Sequence, residues 1–144
     1  MIIAVDFDGT IVEHKYPAIG QEIPFATDTL KLLQRDGHRL ILWTVREGAL
    51  LEEAVAFCRA RGVEFFAVNS DSPTGQADNS TFRSRKIKAD LFIDDRQVGG
   101  LPDWGVIYEL IRTRTKYTDY LQNTRYQTSE HAKQRTFWSR MFGK

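Results

Sequence analysis

Cysteine occurs once in this chain, at Cys58, and histidine three times, at His14, His38 and His131. A lone thiol excludes a disulfide framework and fits a reducing compartment. Within LLEEAVAFCRARG it occupies an apolar helical position, which marks a buried structural thiol rather than a nucleophile. The histidines are scattered, so no Cys/His cluster offers a zinc site and none of the three stands out as catalytic. Long apolar runs are absent too. None approaches the roughly 20 residues that span a bilayer, and no basic region precedes a long hydrophobic stretch at the N-terminus. The expectation is a soluble, cytoplasmic protein with no membrane partner.

Net charge is nearly absent as well, at +1, but its distribution is uneven. Residues 1–111 carry 12 Lys/Arg against 17 Asp/Glu, whereas residues 112–144 carry 8 against 2. The change coincides with the fading of the apolar pattern. A domain over 1–111 is therefore expected, followed by a basic, aromatic-rich extension over 112–144. At 144 residues the chain is long enough for one ordinary domain with its own core.

The first domain alternates between two periods. IIAVD (about 2–6), HRLILW (about 38–43), FFAVN (about 65–69) and DLFID (about 90–94) read as buried strands. Between them, Phe25 to Asp36 places Ala26, Leu30 and Leu33 at helical spacing before Gly37. Gly48 to Arg61 does the same with Leu51, Ala54, Val55 and Cys58 before Gly62. LPDWGVIYELI reads as a further helix, with Pro102 near its first turn. Alternating strands and helices imply βαβ crossovers, and nearly continuous apolar strands imply a sheet buried on both faces. The fold class expected is α/β, a doubly wound, mostly parallel sheet.

In such a sheet, ligands sit beyond the carboxyl ends of the strands. Every strand here ends in polar, reactive groups: Asp6 and Asp8 after the first, Thr44 and Arg46 after the second, Asn69-Ser70-Asp71 after the third, Asp94-Asp95-Arg96 after the fourth. Side chains two apart on a strand share a face, which aligns Asp6 with Asp8. Gly9 then lets the backbone turn sharply and approach a ligand closely. Four carboxylates (Asp6, Asp8, Asp94, Asp95) on one edge repel one another unless a cation joins them. Hard oxygen ligands in this number suit Mg²⁺.

The set and its order resemble the haloacid dehalogenase-like (HAD) phosphohydrolase superfamily. The resemblance rests on DFDGT at 6–10, Thr44 after LILW, a lysine within RKIKAD and the Asp94-Asp95 pair after LFI, and covers about residues 1–111. It implies a Mg²⁺-dependent phosphatase acting on a phosphomonoester through an aspartyl-phosphate. In that reading Asp6 is the nucleophile and Asp8 the general acid and base. Thr44 and the lysine bind the phosphoryl group beside Gly9 and Arg46. Lys86 is favoured over Lys88 as that lysine, and Asp94 is the leading metal ligand with Asp95 beside it. For Arg46, a cap on the following helix competes evenly with phosphate contact.

Cap domains of such enzymes follow the first or third strand. Here about 15 residues separate Thr10 from the first helix and about 20 separate Asn69 from the fourth strand, too few for a folded domain. A capless enzyme with an open site is expected, closed either by a large substrate or by another subunit of a homo-oligomer. EHKYPAIGQEIPF and SDSPTGQADNSTFRSRK are the rim segments. The basic and aromatic residues after 112 would suit nucleic acid, but a helix packed on the domain or a second subunit is the favoured reading. Three alternatives stay open: a nucleic-acid end phosphatase, a receiver-like phosphoacceptor, and a non-catalytic phospho-binding domain. Motif order disfavours the receiver, whose acidic pair would come first.

Overall fold

The computed structural model describes residues 1–73 and 86–125. Two compact units make up the chain, Met1–Gly105 and Val106–Lys144. The elements are β1 (Ile2–Val5), α1 (Ala26–Arg35), β2 (Arg39–Leu42), α2 (Gly48–Arg59), β3 (Ala67–Val68), β4 (Leu91–Ile93) and α3 (Trp104–Thr113). The four strands form one sheet in the order β3-β2-β1-β4, and every pairing is parallel. This is the expected α/β, Rossmann-like fold. Among the described residues there is no cap domain.

The sheet is buried on both faces because its strands are apolar at every position but Arg39, the exposed first residue of β2. Ala4 pairs with Ile41 and Phe92, and Ile41 with Ala67. This row, with Ile87, forms a core cluster that also packs Trp43 and Phe66. The alternate row includes Ile3, Val5, Leu40 and Leu42, which are likewise fully or almost fully buried. Burying each such side chain stabilises the fold by about 1.5–3 kcal/mol. Past the end of β1, Phe7 meets Phe57 of α2 edge to face at 5.8 Å.

The helices bury the stripes read from the sequence: Ala26, Leu30 and Leu33 on α1, Ala54 and Cys58 on α2. The α1 stop is a turn in which Gly37, at φ +81, donates to Gln34 O and His38 N–H donates to Leu33 O. No side chain of the N-cap residue Phe25 caps α1. Glu22 supplies the missing acceptor instead, at 3.1 Å from Thr27 N. Burial sends the Cys58 thiol up to about 12, so it is a packing residue.

Strand β3 is shorter than its apolar run, and β4 is shorter than the span of about 90–94 read from the sequence. Asn69, at φ +48, turns the chain out of β3, although its N–H still donates to Leu42 O. Asp90 and Asp6 extend the β1–β4 ladder by one bond at either end (Asp90 N to Ile2 O 2.8 Å, Asp6 N to Ile93 O 3.0 Å).

In the second unit α3 runs on to Thr113, so the change of composition at Arg112 falls inside a helix. Arg114, at φ +54, and the bond from Thr115 N to Leu110 O end it. Residues 117–125 are helical. The remainder of the basic extension, 126–144, lies outside the described residues, as does 74–85 of the second rim segment.

Candidate metal and phosphate site

The tip of β1 is a tight turn built on one carbonyl. Phe7 O accepts from Ile11 N (2.9 Å) and Val12 N (3.1 Å), and Gly9 N donates to Val12 O at 2.7 Å. Gly9 sits at φ +90, where a side chain is strained. A Cβ built there would also fall 2.4 Å from Asp95 Oδ2 and 2.7 Å from Asp95 Cγ. The missing side chain therefore makes room for a carboxylate of the protein itself. Thr10, fully buried, ties the same turn to the neighbouring chain. Its hydroxyl accepts from Asp95 N at 3.0 Å, and its carbonyl accepts from the Trp104 indole at 3.1 Å.

Parallel pairing of β1 with β4 brings Asp6, Asp94 and Asp95 together, one carboxylate oxygen of each lying within 4.8 Å of the others. Asp94 is oriented by the Arg96 N–H, which donates to its Oδ1 at 2.8 Å. Asp95 Oδ1 is buried and has no hydrogen-bond partner. Burial raises the Asp6 carboxyl to about 6; the Phe7 backbone bond opposes this, and the charges of Asp94, Asp95 and Asp8 add to it. Three convergent carboxylates, one with an orphaned oxygen, are a donor set suited to a hard divalent cation. The residues present fit Mg²⁺.

Asp8 does not join that set. Both of its oxygens are taken by Arg46, with Nε to Oδ2 and Nη2 to Oδ1 each at 2.7 Å. Arg46 is fully buried, and the bond to Asp8 holds its guanidinium above its already high range. It also donates to Pro17 O (3.0 Å) and Ala18 O (2.9 Å). The rings of Phe7 and Tyr16 lie 5.0 and 5.4 Å from its guanidinium carbon. The first rim segment is thus framework: Val12 bridges Glu22, and Gly20 lies where a Cβ would fall 2.1 Å from Glu13 O.

Beyond β2, Asn69 braces the loop that carries Thr44. Its Oδ1 accepts from Thr44 N at 2.8 Å and its Nδ2 donates to Arg46 O at 3.5 Å. Thr44 Oγ1 accepts from Arg46 N at 3.3 Å, which leaves the hydroxyl hydrogen available to a ligand. Thr44 lines a cleft of about 170 Å³. Asp6, Asp8, Asp94, Trp43, Val45 and Arg96 line it as well.

No family model matches the chain, and no curated protein matches it. A solved structure does: the conserved protein coded by a locus of Bacteroides thetaiotaomicron is 64% identical, with a TM-score of 0.77. The match covers 83% of this chain and 96% of that one. The chain belongs to the family of that conserved Bacteroides protein.

Against this geometry the residues expected from the sequence fall into four groups. Asp6, Asp94 and Thr44 line the cleft, and Asp95 clusters with Asp6 and Asp94. Asp8 lines the cleft too, with both carboxylate oxygens engaged by Arg46, and is not among the three clustered carboxylates. Arg46 is not among the described residues lining the cleft, and its guanidinium is bonded to Asp8 and two carbonyls. Lys86 and Lys88 are not among the described residues lining the cleft. Lys86 Nζ lies 5.7 Å from the centre of the Phe92 ring, and Lys88 N donates to Asp71 Oδ2 at 3.2 Å. Among the described lining residues the cation is Arg96. Thr10 and Trp104 carry no signal of their own in the sequence; for Asn69 the signal is an asparagine, a residue that tolerates positive φ, directly after an apolar run.

Proposed function

We propose that this protein is a capless, Mg²⁺-dependent phosphomonoester hydrolase of the HAD type, with Asp6 as its nucleophile. The observation that carries the reading is the cluster of Asp6, Asp94 and Asp95, the last with an orphaned oxygen, beside a cleft that Asp6 and Asp94 line together with Thr44. A bound Mg²⁺ would supply positive charge against which an anionic phosphate and the Asp6 carboxylate can approach.

Asp6 attacks phosphorus, forming an Asp6–O–P bond as the bond to the leaving oxygen breaks. Asp8, which borders the cleft, delivers the proton to that oxygen once one of its two Arg46 bonds opens and the freed oxygen is protonated. Water then attacks the aspartyl-phosphate, returns a proton to Asp8, and releases Asp6 and phosphate. Covalent catalysis of this kind splits one difficult displacement into two easier ones. Thr44 donates to a phosphoryl oxygen, and Arg96 is the cation positioned at the rim.

The cleft is smaller than the roughly 300–1,000 Å³ of pockets that enclose whole small molecules. It admits the phosphoryl end, and the rest of the substrate lies against the lip formed by Trp43, Arg96 and Val45, which is 71% exposed.

Asp6→Asn tests the reading with an aryl phosphate and Mg²⁺. Turnover is expected to fall by at least about 10³-fold, as for loss of a covalent nucleophile, with an unchanged circular dichroism spectrum. Full activity of the variant would sink the assignment.

A further inference from the structure

We propose that Arg46 is a positioning residue that keeps the Asp8 carboxylate out of the metal site. The inference rests on the metal reading above and adds to it a reason why four neighbouring carboxylates divide three to one.

The division follows from how Arg46 is held. Apart from Asp8, it is fixed by the carbonyls of Pro17 and Ala18 and by the faces of Phe7 and Tyr16. These contacts come from the turn at the tip of β1 and from the first rim segment, so the guanidinium has a defined place whether or not Asp8 is present. A planar fork bonded to both carboxylate oxygens sets the plane and direction of its partner, which a point charge does not. Asp8 therefore follows Arg46.

Asp8 also has an alternative destination. It lines the same cleft as Asp6 and Asp94, and an unrestrained carboxylate beside a hard divalent cation replaces one of the cation's waters. That would tighten the metal and remove the group assigned to proton transfer. The buried ion pair serves this division of labour; as a stabilising device it would have little advantage over apolar packing.

Mn²⁺ is the probe, used with the full chain. Its affinity is read by titration of the free-ion EPR signal, and its bound waters are counted by water relaxation. Arg46→Lys keeps the charge and loses the fork. It is expected to bind Mn²⁺ about tenfold tighter with one fewer bound water, while kcat for an aryl phosphate falls about 10²-fold. Asp8→Asn is expected to leave the wild-type water count unchanged, and the double variant to restore that count and the affinity without restoring turnover. Loss of a merely structural residue would loosen the metal or leave it alone.

A folded Arg46→Lys protein with wild-type affinity and water count overturns the proposal, as does one extra bound water in Asp8→Asn. The second measurement decides the matter if Arg46→Lys does not fold. Wild-type protein that binds no Mn²⁺ overturns the metal reading and this proposal together; wild-type binding with no response to Arg46→Lys overturns this proposal alone.

Discussion

Gly9→Ala separates two effects that a single glycine combines. The residue sits at φ +90, and its absent Cβ leaves room for Asp95 Oδ2 at 2.4 Å. Holding a non-glycine residue in such a conformation costs about 1–3 kcal/mol. Displacing a packed neighbour costs about 1–3 kcal/mol more. The expected loss is about 2–6 kcal/mol, a large part of the roughly 5–15 kcal/mol that keeps an ordinary domain folded. Gly37 provides the control, at φ +81 with nothing within 4 Å of the added Cβ. Gly37→Ala should show only the backbone component, about 1 kcal/mol, as for alanine at a left-handed helix stop. Urea unfolding followed by circular dichroism in EDTA measures both. Because Asp95 is the obstructing group, Gly9→Ala/Asp95→Ala should recover the packing component, giving a coupling energy of about 1–3 kcal/mol in the double-mutant cycle. If Gly9→Ala costs no more than Gly37→Ala, or if the coupling vanishes, the claim that Gly9 exists to admit Asp95 is refuted.

Three further predictions concern charge, metal and the loop brace. In metal-free protein the Asp6 carboxyl lies near 6 against an ordinary 3.8, so the folded state holds this proton more tightly than the unfolded state. Its contribution is fully present below about pH 4 and is lost as pH rises through about 6. The melting temperature of Asp6→Asn minus that of wild type should therefore climb across this window and flatten above it; a constant difference would refute the desolvation of Asp6. Because metal must displace the same proton, Mg²⁺ at 100 times its Kd should stabilise the protein by about 2.7 kcal/mol at neutral pH and by progressively less below pH 6. Asn69→Ala loses the acceptor for Thr44 N and leaves a β-carbon residue at φ +48. A loss of about 1–3 kcal/mol and at least a tenfold drop in turnover are expected, with Asn69→Asp, which keeps the acceptor, closer to wild type.

Strand positions and site edge were legible because they follow from short-range pattern. Ile2 to Val5, Arg39 to Leu42 and Leu91 to Ile93 are apolar at nearly every position, so they had to be central strands, and parallel strands place their polar termini together. Asp6, Asp94 and Asp95 needed no more than that to be brought into one cluster. Gly9 was legible as a place of close approach, but the approaching group is Asp95, since steric permission at a glycine does not say what fills the space. The Asp8–Arg46 pair was not legible. Its partners are 38 positions apart, and their meeting depends on how the segment from Glu13 to Glu22 folds back to present two carbonyls and Tyr16. Alternation on a strand predicted a shared face for Asp6 and Asp8, yet the turn on Phe7 O starts one residue after Asp6 and breaks the extended form that alternation requires. Lys86 met the same limit: its place before β4 was legible, but the ring of Phe92 over which it settles was not.

The short outer strand has a consequence for the order in which the protein becomes competent. Ile2 and Asp90, bonded at the entrance of the β1–β4 pair, are 88 positions apart, and Thr10 meets Asp95 across 85. During synthesis Asp6 therefore leaves the ribosome long before the three residues of β4 that complete its surroundings. Until those residues dock, Asp6 lacks the Asp94 and Asp95 carboxylates with which it clusters. On the proposed function, arrival of β4 would act as an assembly checkpoint, with reactivity switched on by completion of the sheet.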